Sequence, residues 1–246
     1  WLKEHQEQEL KEIRSKDGLT LQAAYIPREN AKGTIICMHG YHSTNDIEFV
    51  PEVRFLWNLG YSILLPWQRS HGKSEGRYIT YGVKERHDLK RWILYTNRNL
   101  AAKNKDIFLC GISMGCATTL MAAGLDLPDN VKGIIADCGF TSPWDIIKHV
   151  AKERFHLPPF PLMYMVDLIS EVVAGFGLKE VSIPEIMKRN KIPVLFIHGD
   201  ADDYVPMWMT IKNYEACAAK KELYIVSGAG HALAFSKDME EGKRRI

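Results

Sequence analysis

Five residues near the middle of the chain, Gly111-Ile112-Ser113-Met114-Gly115, spell G-x-S-x-G. They follow the apolar run Ile107-Phe108-Leu109-Cys110 and precede a segment rich in small residues, Cys116-Ala117-Thr118-Thr119-Leu120-Met121-Ala122-Ala123. A strand that turns sharply into a helix leaves no room for Cβ atoms where the two elements meet, so glycine belongs on either side of the central residue. The same turn holds Ser113 in strained backbone geometry and lifts its hydroxyl to the carboxyl edge of a sheet. Pentapeptides of this kind also recur by chance as Gly-rich turns with an incidental serine. The strand before this one and the helix after it make the difference.

The rest of the chain supports an open α/β arrangement. Ile13-Arg14-Ser15 and the segment Leu19 to Tyr25 flank Asp17-Gly18, a hairpin signal. Thr34 to Met38, Ser62 to Leu65, Ile107 to Cys110, Val131 to Cys138, Pro193 to His198 and Glu222 to Val226 are short apolar runs of the kind that form buried strands. Phe49 to Asn58, closed by Gly60, and Val83 to Arg98 carry helical spacing, and a further helix starts near Pro206. Trp1 to Glu12 is polar and helical in character. Strands alternating with helices imply a mostly parallel central sheet with helices on both faces. The alternation breaks once. Between positions 140 and 192 there is Leu157-Pro158-Pro159-Phe160-Pro161, an apolar helical stretch from Leu162 to Val173, and Gly175-Phe176-Gly177. That is far longer than one crossover needs, and we read it as a small helical cap inserted in a single domain spanning 1–246.

With 246 residues, 46% of them hydrophobic and a net charge of +2, the chain suits one core and offers no basic surface for nucleic acid. Lys243-Arg244-Arg245 reads as a solvated end. No apolar stretch reaches the ~20 residues that span a bilayer, so membrane contact is not evident. The five cysteines, Cys37, Cys110, Cys116, Cys138 and Cys217, are an odd number in a long chain. They read as buried thiols in a reducing compartment, which favours the cytoplasm. Because the first residue is Trp1, a signal or anchor upstream stays open. No C-x-x-C or H-E-x-x-H pattern suggests a metal, and the oligomeric state is not legible.

A serine hydroxyl needs a base within hydrogen-bond reach and a group that orients the base. In chain order the acid and then the histidine should follow the serine. The loop His198-Gly199-Asp200-Ala201-Asp202-Asp203 offers three carboxylates, at least one of which is expected to cap the helix that Pro206 opens. His231, in Gly228-Ala229-Gly230-His231-Ala232, follows the last strand. Two backbone N–H groups should stabilise an oxyanion: Met114, after the serine, and Tyr41, in the loop His39-Gly40-Tyr41. His39 itself is expected to make structural hydrogen bonds.

These residues resemble an α/β-hydrolase of the serine-hydrolase superfamily, with bacterial esterase-like, lysophospholipase-like and S33-peptidase-like members as the nearest patterns. The resemblance runs from about Leu19 to Phe235. It rests on Met38-His39-Gly40, on the G-x-S-x-G segment, on His198-Gly199 with Asp202 and Val205-Pro206, and on Gly230-His231. In the family's H-G-x-x-D-x-x-V-P pattern the acid falls on Asp202. The resemblance therefore implies a Ser113–His231–Asp202 triad that needs no cofactor. One departure stands out: Pro66-Trp67-Gln68-Arg69-Ser70-His71-Gly72 resembles the family's D-x-R-G-H-G loop, with Trp67 where Asp is usual and Ser70 where the first Gly is usual.

Trp144, Phe155, Phe160, Met163, Met165 and Trp208 are candidate walls of an apolar pocket; cap packing is the competing reading for each. The expected activity is hydrolysis of small neutral or amphipathic carboxylic esters with short to medium acyl chains. A peptidase, thioesterase or acyltransferase on the same triad is the alternative, and a non-catalytic ligand-binding module a third reading.

Overall fold

A computed structural model describes residues 8–44, 48–100 and 105–246. Its sheet is built from β1 (Glu9–Arg14), β2 (Thr20–Ile26), β3 (Gly33–Met38), β4 (Ser62–Pro66), β5 (Asp106–Ile112), β6 (Val131–Asp137), β7 (Val194–Gly199) and β8 (Lys221–Val226). The strand order is β1-β2-β4-β3-β5-β6-β7-β8. β1 and β2 form the antiparallel edge, and every pair from β4 through β8 is parallel. This is the α/β-hydrolase fold.

The apolar runs of β3 and β4 are buried along their whole length, as strands covered on both faces must be. Their side chains divide with period two. Ile36 and Met38 join Leu109 in one core, with Leu89, Trp92 and Ile93 of α2 (Glu85–Asn99) and Leu120 and Met121 of α3 (Met114–Ala122). Ile35 and Cys37 join Ile112 in the other, against Val53 and Leu56 of α1 (Val50–Asn58). The chain reverses direction across the sheet between β3 and β5, the place where open α/β sheets bind ligands beyond the carboxyl ends of their strands.

The segment 140–192 holds α4 (Pro143–Phe155), α5 (Pro159–Ile169), a π-helical turn Ser170–Ala174 and α6 (Ile183–Met187), and no strand. α4 starts because Ser142 Oγ accepts the Asp145 N–H at 3.0 Å and Pro143 fits the first turn. It ends at His156, in the left-handed region at φ 52°. α4 packs on α5, whereas α6 returns to the body against α3 and α7 (Met207–Ala216). The helical excursion is thus shorter than the stretch read from sequence. α8 (Ala234–Lys237) and α9 (Met239–Arg245) close the chain.

The amino-terminal expectation is corrected. Residues 9–12 lie not in a helix but in β1, which pairs residue by residue with β2; residues 1–7 lie outside the described residues. Cross-strand pairing overrides a weak local propensity. Among the described residues no helix is long and apolar enough to cross a membrane. All five cysteines are buried and unbridged.

Candidate active site

Ser113 lies between β5 and α3 at φ 54°, ψ −116°, a conformation costly for any residue with a Cβ. Two hydrogen bonds hold it there: its N–H donates to the Asp137 carbonyl at 2.9 Å, and its own carbonyl accepts the Ala117 N–H at 3.0 Å. The glycines are steric necessities. A Cβ on Gly115 would stand 1.8 Å from the Met38 carbonyl oxygen, and one on Gly111 would stand 2.4 Å from that of Gly115.

β5, β6, β7 and β8 are consecutive parallel neighbours, so the loops after them open on one edge of the sheet. There His231 Nε2 lies 2.9 Å from Ser113 Oγ, and His231 Nδ1 lies 2.7 Å from Asp202 Oδ2. A carboxylate only accepts, which puts the imidazole proton on Nδ1 and leaves the Nε2 lone pair facing the serine hydroxyl. Asp202 Oδ1 accepts the Tyr204 and Val205 N–H groups, each at 2.9 Å. Burial works to raise the Asp202 pKa, but hydrogen bonds from His198 and His231 outweigh it and hold the carboxyl well below the usual range.

The other two acids do different work. Asp200 Oδ1 accepts the Gly228 N–H at 2.6 Å and so ties the two loops together, while the exposed Asp203 lies 3.5 Å from Arg154. None of the three caps α7: Pro206 is its N-cap residue, without a side-chain hydrogen bond. The acids spend their oxygens on the loop that precedes the helix.

The Tyr41 and Met114 N–H groups donate no hydrogen bond among the described residues. Their loops are cross-braced. His39 is buried; its Nδ1 lies 2.8 Å from the Gly40 carbonyl and its Nε2 accepts the Gln68 N–H at 3.0 Å. Gln68 also donates to the His39 carbonyl and accepts the Thr118 hydroxyl at 3.1 Å, which ties this loop to α3. Glu48 accepts the Gly40 N–H, and burial raises its pKa.

The expected pocket residues scatter. Met163 is buried in the larger core, so its side chain faces neighbouring apolar groups and not a cleft. Trp144 packs partly buried under Lys179, whose ammonium lies 3.7 Å from a ring centroid. Phe155, Phe160, Met165 and Trp208 are exposed. α4 reaches the site through Arg154, which lies 4.8 Å above the Tyr204 ring; that ring in turn lies 5.1 Å from the His231 ring. Motif reading gave no role to His198, Tyr204, Glu48 or Cys138. The buried His198 places Nε2 3.4 Å from Asp202 Oδ2. Cys138 brings its sulfur within 4.8 Å of donor atoms of both Asp202 and His231. Of these, only the His198-Gly199 pattern left a trace in the sequence.

Fold and site together define a serine hydrolase of the α/β-hydrolase superfamily. The profile of the prolyl oligopeptidase family (peptidase family S9) matches residues 74–246, and the chain belongs to that family. Among solved structures, the esterase Pf2001 of Pyrococcus furiosus superposes with a TM-score of 0.80 at 26% identity, covering 100% of this chain and 92% of that one. The uncharacterized protein YqkD of Bacillus subtilis is 29% identical over 95% of this chain and 76% of its own length. Protein bem46 of Schizosaccharomyces pombe is 24% identical over 87% of this chain and 67% of its own length.

Proposed function

We propose that this hydrolase cleaves carboxylic esters with short to medium acyl chains through an acyl-enzyme on Ser113. The observation that carries the reading is the continuous chain from Asp202 Oδ2 to His231 to Ser113 Oγ, with steps of 2.7 and 2.9 Å. His231 Nε2 takes the hydroxyl proton as Ser113 Oγ attacks the ester carbonyl. Asp202 holds the Nδ1–H tautomer and stabilises the imidazolium. The Tyr41 and Met114 N–H groups receive the oxyanion. His231 then protonates the departing alkoxide, and water activated by the same nitrogen hydrolyses the acyl-enzyme. Helices α4 and α5 serve as a small cap, and Phe155 and Trp208 line the mouth. The likeness to the Pyrococcus esterase supports an ester substrate.

A peptidase reading is favoured by one observation, the match to the prolyl oligopeptidase family. The two are separated with p-nitrophenyl esters from acetate to palmitate and with prolyl p-nitroanilide peptides, each assayed with the chain and with Ser113→Ala. Ester turnover that peaks at short or medium chains and disappears in Ser113→Ala is the expected result. Cleavage of the anilides alone would replace the esterase assignment by a peptidase.

A further inference from the structure

We infer that the residues around the base form an inhibitory site for a borderline-soft divalent cation of the zinc type, with Cys138, Asp202 and His231 as protein ligands. The inference rests on the triad reading for its effect on activity, but not for binding.

Three donor types meet at this point from three separate strand ends. Cys138 follows β6, Asp202 follows β7 and His231 follows β8. The Cys138 sulfur, a carboxylate oxygen of Asp202 and a ring nitrogen of His231 all lie within 4.8 Å of one another. In tetrahedral coordination with metal–ligand lengths of about 2.0–2.3 Å, such atoms stand about 3.4–3.6 Å apart. The present triangle brackets that value: the nitrogen and oxygen at 2.7 Å must part slightly, and the sulfur must close in. Thiolate, imidazole and carboxylate together suit zinc and its neighbours better than calcium or magnesium, which take all-oxygen sets.

The surroundings also suit a ligand set. Cys138 is held in the left-handed region at φ 46°, its N–H bonded to the Ile197 carbonyl at 3.0 Å, so its backbone is fixed against strain. Burial and the nearby Asp137 and Asp202 carboxylates raise the Cys138 thiol's pKa, opposed in part by a hydrogen bond from the Ala232 N–H, so an incoming cation has to displace the thiol proton. His198 Nε2, 3.4 Å from Asp202 Oδ2, orients the carboxylate from behind, as outer partners of metal ligands do. His231 is the accessible member of the set, on a loop with glycines at 228 and 230 that lets the ring swing by the fraction of an ångström required.

The chemistry balances with one proton released. The cation bonds to sulfur, and the Cys138 thiol proton passes to solvent. The cation takes the Nδ1 lone pair of His231, and the proton that Nδ1 carried moves to Nε2. An imidazole with its proton on Nε2 cannot accept one from Ser113, so binding removes the general base without touching the nucleophile. This is a site of inhibition and not a catalytic centre.

The test uses cobalt as a spectroscopic stand-in for zinc on the metal-stripped chain. Ser113→Ala titrated with Co²⁺ should develop a near-ultraviolet sulfur-to-cobalt band that saturates at one equivalent and is erased by EDTA. Cys138→Ala and His231→Ala should each lack it. In the ester assay, Zn²⁺ should suppress turnover reversibly, and Cys138→Ser, compared with its own metal-free rate, should need at least tenfold more Zn²⁺. Absence of the band from Ser113→Ala, or its persistence in folded Cys138→Ala, overturns the inference whether or not the esterase reading holds. Failure of every substrate alongside a normal band would sink the proposed function and leave the metal site standing.

Discussion

Ser113 is held at φ 54° by one hydrogen bond to β6 and one into α3, and this places Oγ 2.9 Å from an imidazole nitrogen. At this scale the open question from sequence was which of three carboxylates serves His231. Asp202 gives one oxygen to two backbone N–H groups and the other to the imidazole, whereas Asp200 braces Gly228 and Asp203 faces solvent. Asp202→Asn retains the shape but can present its amide N–H to Nδ1, which favours the wrong tautomer. We expect kcat to fall on the order of 10⁴-fold with little change in folding. Asp200→Asn and Asp203→Asn should stay within about tenfold of the parent. A near-normal kcat for Asp202→Asn would move the acid elsewhere.

The loop from Pro66 to Ser74 shows how one unusual residue reshapes an element. Trp67 is buried in the core beside α1, and the Lys73 ammonium lies 5.0 Å from its ring centroid. Gly72, at φ 51°, presses so close that a Cβ there would stand 2.2 Å from the indole Cδ1. Ser70, where the family pattern has glycine, takes φ 64° and donates its hydroxyl to the Tyr78 carbonyl at 2.9 Å. The indole fills space that an aspartate would leave partly empty and charged. Trp67→Asp should therefore cost about 3 kcal/mol, seen as a lower urea midpoint with an unchanged slope. An unchanged midpoint would mean that the loop tolerates either residue and that the indole is incidental. The same scale explains what misled the reading of the first residues. The strand β1 is mostly exposed, with a polar sequence that only its pairing with β2 turns into a strand.

Across the whole molecule, buried acids make stability depend on pH. Burial, reinforced by the charge of Glu52, raises the Asp137 pKa to about 8; burial also raises Glu52 to about 7. Among the described residues, Glu52 Oε2 and Asp137 Oδ1 have no hydrogen-bond partner. Both folded-state values lie above the unfolded values of about 4, so between these limits the folded chain binds more protons than the unfolded one. The contribution is fully present below about pH 4 and is lost as pH rises toward 8. Asp137→Asn should remove much of that slope and raise stability by about 5 kcal/mol at pH 8 relative to its effect at pH 4. Denaturation midpoints at the two pH values measure it. An equal effect at both would show that Asp137 does not titrate in this window.

By itself the sequence determined the order of strands β2 to β8 and the alternation of helices between them, the elbow at Ser113 and the chain order of serine, acid and histidine. Those follow from local causes: hydrophobic period, glycine where two backbones touch, and the fixed topology of a parallel sheet. What only the tertiary structure decided is which groups from different loops share a few ångströms. Tyr204 beside His231, and Cys138 within 4.8 Å of Asp202 and His231, join groups from the ends of β6, β7 and β8, and no spacing along the chain encodes their approach. The same holds for Met163, whose helix turns it into the core and not toward a cleft. Local steric rules act within a few residues and can be read from a string. Loop-to-loop contacts depend on how a twisted sheet sets its carboxyl edge, and that is settled only when the whole core packs.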